Sequence, residues 1–311
     1  MSTAAAKTRQ GVMEHPLYQS VLARIERCHQ SISRRGFPEN LRFVGVSGVG
    51  KTTLLTSYRD AHPRVIHGEY TEVPVVYAEV PAMPTSKQLA INLLKGLGST
   101  DLVGTAPQLW ERFIPLCKRC GATLLIIDEV QHFVDRGKLS TYSAIADVLK
   151  QRLSEIGLPV IMAGAPRARL LFEANNQLRS RFKASVAFHP FRIGTVAEFV
   201  CFQTVISTLT QDFSEPTRRY LISDNLVERF FYATDGVFRN LVDLIDGIRV
   251  LHSEDAPCSL DLISTAFREA ISASADQASN PFSPKFEMRR LIEVGEPYMP
   301  SPLDGDNHAI Y

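Results

Sequence analysis

Apolar residues in this chain fall into two kinds of run, short continuous ones and longer ones with helical spacing. Five short runs indicate buried strands, and they are LRFVGV from Leu41, VPVVYAEVP from Val73, TLLIIDEV from Thr123, LPVIMAGAP from Leu158 and SVAFHPF from Ser185. Stretches with helical periodicity separate these runs. Strands that are apolar throughout and alternate with helices predict an α/β fold, in which helices cover both faces of a parallel five-stranded sheet.

The same pattern divides the chain into predicted segments. Helical spacing begins at Leu17, and we assign residues 1–36 to an N-terminal helix and linker. Residues 37–192 contain every strand run and form the predicted α/β domain. Residues 193–273 keep only helical spacing, which predicts a helical subdomain. Residues 274–311 contain five prolines and little periodicity, which predicts an extended tail.

A glycine-rich stretch, GVSGVGKT from Gly45 to Thr52, lies between the first strand run and a helical stretch. It matches G-x-x-x-x-G-K-[ST] in the setting that a phosphate-binding loop requires. Gly48 and Gly50 let the backbone curl so that its N–H groups face phosphates, Lys51 reaches the β- and γ-phosphate oxygens, and the Thr52 hydroxyl can ligate Mg²⁺. The expected nucleotide-binding residues of the loop are Gly45, Val46, Ser47, Gly48, Val49, Gly50, Lys51, Thr52 and Thr53.

Two adjacent carboxylates end the third strand run, LLIIDE. Asp128 can hold Mg²⁺ through water, and Glu129 is placed to orient and polarise an attacking water, which favours a hydrolase over a passive phosphate-binding scaffold. The alternative interpretation is an acidic pair solvated at a strand end. The next strand run ends in MAGAP and offers no polar side chain near Gly164 and Ala165 to help position the water. We therefore expect slow hydrolysis.

Arginines at two places are candidates for contact with a nucleotide from outside the loop. Arg179 and Arg181 end a predicted helix just before the last strand run, where an arginine points toward a neighbouring subunit and can act as a finger in trans. Arg181 is the better candidate of the two. Arg239 follows Gly236 at a predicted helix start, from which it can reach over the γ-phosphate. The alternatives are solvated surface positions for the first two and a capping role for Arg239.

The composition limits what kind of partner the chain can bind. Lys plus Arg (34) nearly balance Asp plus Glu (33), and the formal net charge of +1 excludes a generally basic mode of nucleic-acid binding.

The N-terminus lacks a signal-peptide pattern and no run is long enough for a membrane helix, so we expect a cytoplasmic protein with no membrane contact. Five scattered cysteines argue against a disulfide framework. For Cys117 and Cys120, a CxxC pair, packing is favoured over metal or redox chemistry.

Together these residues resemble a AAA+ P-loop ATPase, and more narrowly the TniB/TnsC-type regulators of DNA transposition. The matching segments run in order through residues 15–250 and are HPLYQSVLARI, GVSGVGKTT, PTSKQLAINLLKGLG, LLIIDEVQH, VIMAGAP, QLRSRF and GVFRNL. The resemblance implies that residues 37–192 are the nucleotide-binding domain and residues 193–273 a helical lid. It also implies ATP and Mg²⁺ as cofactors, with Glu129 and Lys51 catalytic, Thr52 and Asp128 on the metal, Arg181 as the finger and Arg239 as a second sensor.

The resemblance further implies a homo-oligomer, either a ring or a helical filament, that assembles on double-stranded DNA. Such a protein marks the target site, recruits the DDE transposase, works with a TniQ-type targeting protein and disassembles when hydrolysis is stimulated. The helix after the second strand faces the DNA backbone in these regulators. Lys87 at its start and Thr100 beyond its end are therefore the candidate phosphate contacts, with solvated surface as the alternative.

Assembly reconciles the balanced charge with DNA binding. If about six subunits each made two contacts, about twelve phosphates would be neutralised, and the log–log dependence of affinity on salt would have a slope of about −11. Contacts made after the first become effectively intramolecular. No base-reading module is visible in the sequence, so we expect weak sequence preference.

Two other function classes stay open from the sequence. An initiator or clamp-loader-like AAA+ ATPase would share every nucleotide residue named above, although no C-terminal winged helix is apparent. A P-loop signalling switch or structural scaffold would bind ATP without turnover, and Glu129 argues against it because a carboxylate there has little use if no water attacks. A small-molecule kinase is a weaker alternative, since no basic lid over an acceptor pocket is visible.

Overall fold

The computed structural model describes residues 15–135, 139–253 and 256–300. The beginning of the predicted N-terminal segment and the end of the predicted tail lie outside these ranges. Within them, no helix has both the length and the apolar character needed to cross a bilayer.

The described chain divides into two compact units. Unit 1 consists of the described residues up to Val46 together with Lys51–Phe188. Unit 2 consists of Ser47–Gly50 together with the described residues from His189 onward. The leading helix therefore belongs to the same unit as the sheet, and the middle of the glycine-rich loop groups with the C-terminal unit.

Unit 1 alternates strands and helices along the chain. Its elements are α1 (Pro16–His29), α2 (Ser31–Arg35), β1 (Leu41–Val44), α3 (Lys51–Asp60), β2 (Val65–His67), β3 (Tyr70–Glu72), β4 (Val75–Glu79), α4 (Ser86–Leu97), α5 (Ala106–Arg119), β5 (Leu124–Asp128), α6 (His132–Asp135), α7 (Leu139–Ile156), β6 (Val160–Gly164), α8 (Arg169–Glu173), α9 (Asn176–Arg181) and β7 (Ala184–Ala187). A short 3₁₀ turn, Pro166–Ala168, connects β6 to α8.

The main sheet has five strands in the order β4-β5-β6-β1-β7, and all neighbours are parallel. The predicted parallel five-stranded sheet is therefore confirmed. The register places Glu79 beside Asp128 and Val44 beside Gly164. Because these residues end their strands, the groups that follow β1, β4, β5 and β6 meet at one edge of the sheet.

One pair of strands has no counterpart among the runs predicted from the sequence. β2 and β3 form an antiparallel hairpin in which Val65 pairs with Glu72 and His67 with Tyr70. All residues of β2 are exposed, and Ile66 is 81% exposed. A hairpin that buries neither face produces no alternation of apolar and polar residues, so the pattern could not reveal it.

The carboxyl end of β5 is held by a well-packed core. Every residue of β5 is buried, and the core continues into α4, α5 and α7. Trp110 and Phe113 of α5 are both almost completely buried, and the Trp110 indole Nε1–H donates to Ser86 Oγ at 3.1 Å. Asp128 therefore sits at the end of a strand that has little freedom to move.

The predicted CxxC lies against this core. Cys117 is buried, and burial raises the pKa of its thiol to about 12. All five cysteines are free. Within the described ranges, no group of three or more His, Cys, Asp or Glu side chains is placed to hold a metal ion.

Unit 2 is helical after its four loop residues. Its helices are α10 (Val196–Leu209), α11 (Glu215–Leu221), α12 (Asp224–Thr234), α13 (Phe238–Leu251) and α14 (Leu260–Ala270). Between α12 and α13, the Phe191 N–H donates to Gly236 O at 2.8 Å. A Cβ atom at Gly236 would lie 2.2 Å from Phe191 O, so only glycine fits this turn.

The described part of the tail has neither helix nor strand, and it packs on the helices of unit 2. Phe282 is 1% exposed, with its ring centroid 5.4 Å from that of Phe230 and 6.2 Å from that of Phe267. Arg290 donates two hydrogen bonds of 2.7 Å each to the Asp235 carboxylate. The described residues of the tail therefore pack on their own unit.

Candidate active site

The glycine-rich loop begins directly after β1 and leads into α3, which starts at Lys51. Gly48 has φ 84° and Gly50 has φ 101°, backbone conformations that glycine adopts without strain. The Gly45 N–H donates to Gly164 O at 3.2 Å, which joins the loop to the end of β6. The loop thus has the curled form that its sequence predicts.

Lys51 is buried at the start of α3, with 6% of its surface exposed. Its Nζ donates to Gly45 O at 2.8 Å and to Val46 O at 3.0 Å. An ammonium group at a helix N-terminus adds positive charge to the positive end of the helix dipole, which costs free energy unless an anion is close. The two carbonyls offset part of this cost, and a bound phosphate would offset more.

Asp128 connects the end of β5 to the loop. It is fully buried, and its Oδ2 accepts hydrogen bonds from Thr52 Oγ1 at 2.7 Å and from the Tyr77 hydroxyl at 3.1 Å. The Tyr77 hydroxyl lies 2.8 Å from Glu79 Oε1 as well. Burial, together with the charges of Asp128 and Glu79, raises the pKa of Tyr77 well above its usual value, so this hydroxyl remains a donor.

The pair formed by Thr52 and Asp128 fits a magnesium site. Mg²⁺ takes oxygen ligands and usually keeps several waters, with one or two carboxylates and substrate phosphates completing its shell. A hydroxyl and a carboxylate oxygen 2.7 Å apart, next to a phosphate-binding loop, supply this kind of donor set. These two residues would hold the ion, as the sequence predicts.

Glu129 adopts a backbone conformation that is unusual for its residue type. Its φ is 59°, and its N–H donates to Asp128 Oδ1 at 2.8 Å. A non-glycine residue in the left-handed region stores strain of about 1 to 3 kcal/mol, and such residues concentrate at functional sites.

Gln131 is a site residue that the sequence analysis missed. It is 5% exposed, its Oε1 accepts from the Ala165 N–H at 3.0 Å, and its Nε2 donates to Glu129 Oε2. No polar side chain on β6 was expected near Gly164 and Ala165, and Gln131 places one there from the turn after β5. The glutamine in LLIIDEVQH was the available signal, but its distance in sequence from Ala165 concealed the contact.

His132 is a second side chain near the Glu129 carboxylate. Its Nδ1 is 2.7 Å from Val80 O, and because a carbonyl only accepts, Nδ1 carries the proton. Its Nε2 lies 3.8 Å from Glu129 Oε2, beyond hydrogen-bond range. Gln131 is therefore the side chain that donates to the Glu129 carboxylate within the part of the chain that the structure describes.

The two finger candidates lie where the sequence predicts, at the end of α9. Arg179 and Arg181 are exposed, and neither guanidinium contacts an acceptor among the described residues. Leu178 lies between the Asn175 cap and the two arginines. It is buried and anchors the helix to unit 1. Both guanidinium groups are free to reach another molecule.

Arg239 begins the first turn of α13 in unit 2. Its backbone N–H donates to Gly48 O at 3.0 Å, and its Cβ would be 3.1 Å from a Cβ at Gly48. Its side chain is exposed. The structure thus places Arg239 directly beside the phosphate loop, 191 positions away in sequence.

Lys87 and Thr100 are both exposed, near opposite ends of α4. Thr85 caps the helix by accepting from the Gln88 N–H at 3.0 Å, and Gly98, with φ 86°, ends it. A helix of this length, 12 residues, is about 18 Å long. The two candidate phosphate contacts are therefore separated from each other by about the length of this helix.

Comparison with known proteins identifies what this arrangement is similar to. A family model described as "Bacterial TniB protein" matches residues 4–190. The Aeropyrum pernix ORC2 protein, solved in ADPNP-ADP complexes, has a TM-score of 0.60 and 16% identity, with 85% of this chain and 70% of that chain covered. Cdc6p from Pyrobaculum aerophilum has a TM-score of 0.60 and 11% identity, with 83% and 68% covered. No curated protein matches the sequence.

Proposed function

The chain belongs to the TniB family and has the AAA+ ATPase fold, and from this we propose that it is an ATP-dependent, DNA-binding regulator of transposition. The observation that carries the proposal is the group of residues that joins the loop to the end of β5. Thr52, Asp128 and Glu129 lie together there, and a passive phosphate-binding loop would have no need of Glu129. The proposal therefore includes hydrolysis as well as binding.

In the proposed mechanism, the loop N–H groups and Lys51 bind the phosphates of ATP. Thr52 and Asp128 would hold Mg²⁺, which would neutralise charge at the phosphates. Glu129 accepts a proton from a water whose oxygen bonds to the γ-phosphorus. The bond from the γ-phosphorus to the bridging oxygen breaks, and ADP leaves with the electron pair.

Assembly is the second part of the proposal. Arg181 is exposed and has no partner among the described residues, which suits a side chain that completes the ATP site of a neighbouring subunit. An arginine finger supplied in this way is worth about 10³ to 10⁵ in rate. Arg239, whose backbone contacts Gly48, is the proposed second sensor.

DNA binding is proposed to follow from assembly. The net charge of +1 gives a single subunit little attraction for DNA, whereas many copies of Lys87 and Thr100 along a duplex would add their phosphate contacts. The expected assembly is a ring or helical filament with weak sequence preference. A DDE transposase and a TniQ-type targeting protein are the proposed partners, and hydrolysis is proposed to dismantle the assembly.

An initiator-like AAA+ ATPase is the other candidate, because the solved neighbours at TM-score 0.60 are ORC2 and Cdc6p. At 16% and 11% identity they support the fold alone. Membership of the TniB family favours transposition over initiation. A non-hydrolysing switch or scaffold is disfavoured by Glu129.

The proposal is tested by DNA binding of Lys51→Ala and Arg181→Ala at a fixed salt concentration, with and without ATP. We expect ATP to strengthen DNA binding by the wild-type chain and to have little effect on either variant. Arg179→Ala is the matched control, because Arg179 is equally exposed on the same short helix. Unchanged, ATP-independent affinity in both variants would contradict the proposal.

A further inference from the structure

The side-chain amide of Gln131 is buried and forms a hydrogen bond at each end. A buried amide with four hydrogen-bonding sites is costly to leave unsatisfied, yet here both ends of the amide are used. Its oxygen faces the Ala165 N–H and its nitrogen faces the Glu129 carboxylate. The orientation of the amide is therefore fixed, because the reverse would place a carbonyl against a carboxylate.

The surroundings of Gln131 preserve this orientation. A Cβ at Gly164 would lie 2.6 Å from Gln131 Oε1 and 3.0 Å from Val130 Cγ2, so the absence of a side chain on β6 leaves room for the amide. Glycine at this position is not required by its backbone, since its φ lies outside the left-handed region. Close packing against Gln131, Val130 and Ala168 is the remaining reason.

We propose that Gln131 is a positioning residue for ATP hydrolysis, which holds the Glu129 carboxylate in the direction from which it accepts the proton of the attacking water. The inference rests on the proposed function. A polar side chain on β6 would normally be expected to help place that water, and Gln131 fills the place from the turn after β5.

The amide also connects two parts of the site. Ala165 begins the segment that runs through Pro166–Ala168 and α8 to α9, where Arg181 lies. A displacement of this segment would pull on the Ala165 N–H and, through the amide, on Glu129. Gln131 thus gives Glu129 a physical link to the segment that carries the proposed finger.

Gln131→Glu isolates the contact with Glu129. The new carboxylate keeps an oxygen facing the Ala165 N–H and replaces the donating nitrogen by a second oxygen. Gln151→Glu is the matched control, because Gln151 also donates to a glutamate, Glu155, but on the exposed surface of α7. Both changes add the same charge to unit 1.

We expect Gln131→Glu to lower kcat for ATP hydrolysis at least about tenfold, with KM for ATP changed less than about twofold, since misplacing a general base affects the chemical step. Gln151→Glu should leave both constants near the wild-type values. Gly164→Ala is the second variant, because its methyl group would lie 2.6 Å from Gln131 Oε1, closest of the atoms around it, and the change keeps the Glu129 side chain and the net charge. It should lower kcat in the same way.

A kcat for Gln131→Glu equal to that of Gln151→Glu would overturn the inference while the wild-type chain still hydrolyses ATP. If Gln131→Glu fails to fold, an unchanged kcat in folded Gly164→Ala would overturn it equally. A wild-type chain that hydrolyses no ATP with Mg²⁺ and duplex DNA would overturn the proposed function, and this inference with it.

Discussion

Glu129 is the residue whose geometry and chemistry point most clearly in one direction. A left-handed backbone, a hydrogen bond from its N–H to Asp128 and a donor from Gln131 all constrain its carboxylate. Strain of this kind persists only where the surrounding structure imposes it. We infer that these constraints hold Glu129 ready to act as a general base.

Glu129→Gln is expected to lower kcat for ATP hydrolysis about 10² to 10⁴-fold, because the amide cannot accept the proton of the attacking water. ATP affinity should be unchanged, since the loop and Lys51 bind the phosphates. Steady-state hydrolysis and binding of a fluorescent ATP analogue measure the two effects. Glu155→Gln is the control for loss of a carboxylate on the surface. Comparable hydrolysis by the two variants would contradict the role of Glu129.

His15 and His29 make the stability of unit 1 depend on pH. Burial lowers the pKa of each to about 4 from an ordinary value of 6.5, with the charge of His62 adding to the effect on His29. The unfolded chain therefore takes up protons at higher pH than the folded chain. Stability should be full near pH 7 and should decrease as the pH falls from about 6.5 toward 4.

Urea unfolding between pH 7 and pH 5 tests this dependence. His29→Gln removes one titrating group and should make the decrease in the free energy of unfolding shallower. His67→Gln is the control, because His67 lies on the exposed hairpin with 41% of its side chain accessible. An equal pH dependence in the two variants would show that His29 does not contribute.

Sequence and structure agree best for residues whose role depends on neighbours in the chain. Lys51 and Thr52 follow their glycines directly, and the loop they form needs no distant contact to be recognised. Gln131 and Arg239 are different, because their contacts are with residues far away in the sequence. Gln131 accepts a hydrogen bond from the Ala165 N–H, and the Arg239 N–H donates to Gly48 O. Long-range contacts of single polar side chains leave no periodic trace in a sequence.

At the scale of elements, burial decides what the sequence reveals. The predicted strands of the main sheet are apolar because both faces are covered, and β5 is buried throughout. The hairpin of β2 and β3 was not predicted because it is largely exposed. The burial of tail residues was not predicted either, since those residues, such as Phe282 and Leu291, follow no helical or strand period.

The tail is an integral part of unit 2 and contributes to its stability. Phe282→Ala should lower the free energy of unfolding of this unit by about 3 to 5 kcal/mol, because it removes a buried ring packed between two others. Val294→Ala, at a tail position that is 90% exposed, should have almost no effect. Urea denaturation monitored by circular dichroism measures the free energy of unfolding of both variants. Equal effects would mean that the tail is not part of the folded core.

At the scale of the whole molecule, the proposed assembly rests on Arg181, which is exposed and whose guanidinium has no partner in the described chain. Neither the pattern of the sequence nor one folded subunit contains the contacts between copies. The size and geometry of the assembly therefore could not be predicted.

The most direct test is the mass of the particles formed by the full chain on duplex DNA, with Mg²⁺ and a non-hydrolysable ATP analogue, measured by sedimentation velocity. The account predicts complexes of many subunits per duplex for the wild-type chain and for Arg179→Ala, and loss of these complexes in Arg181→Ala. A wild-type chain that stays monomeric when saturated with the analogue and DNA would contradict it.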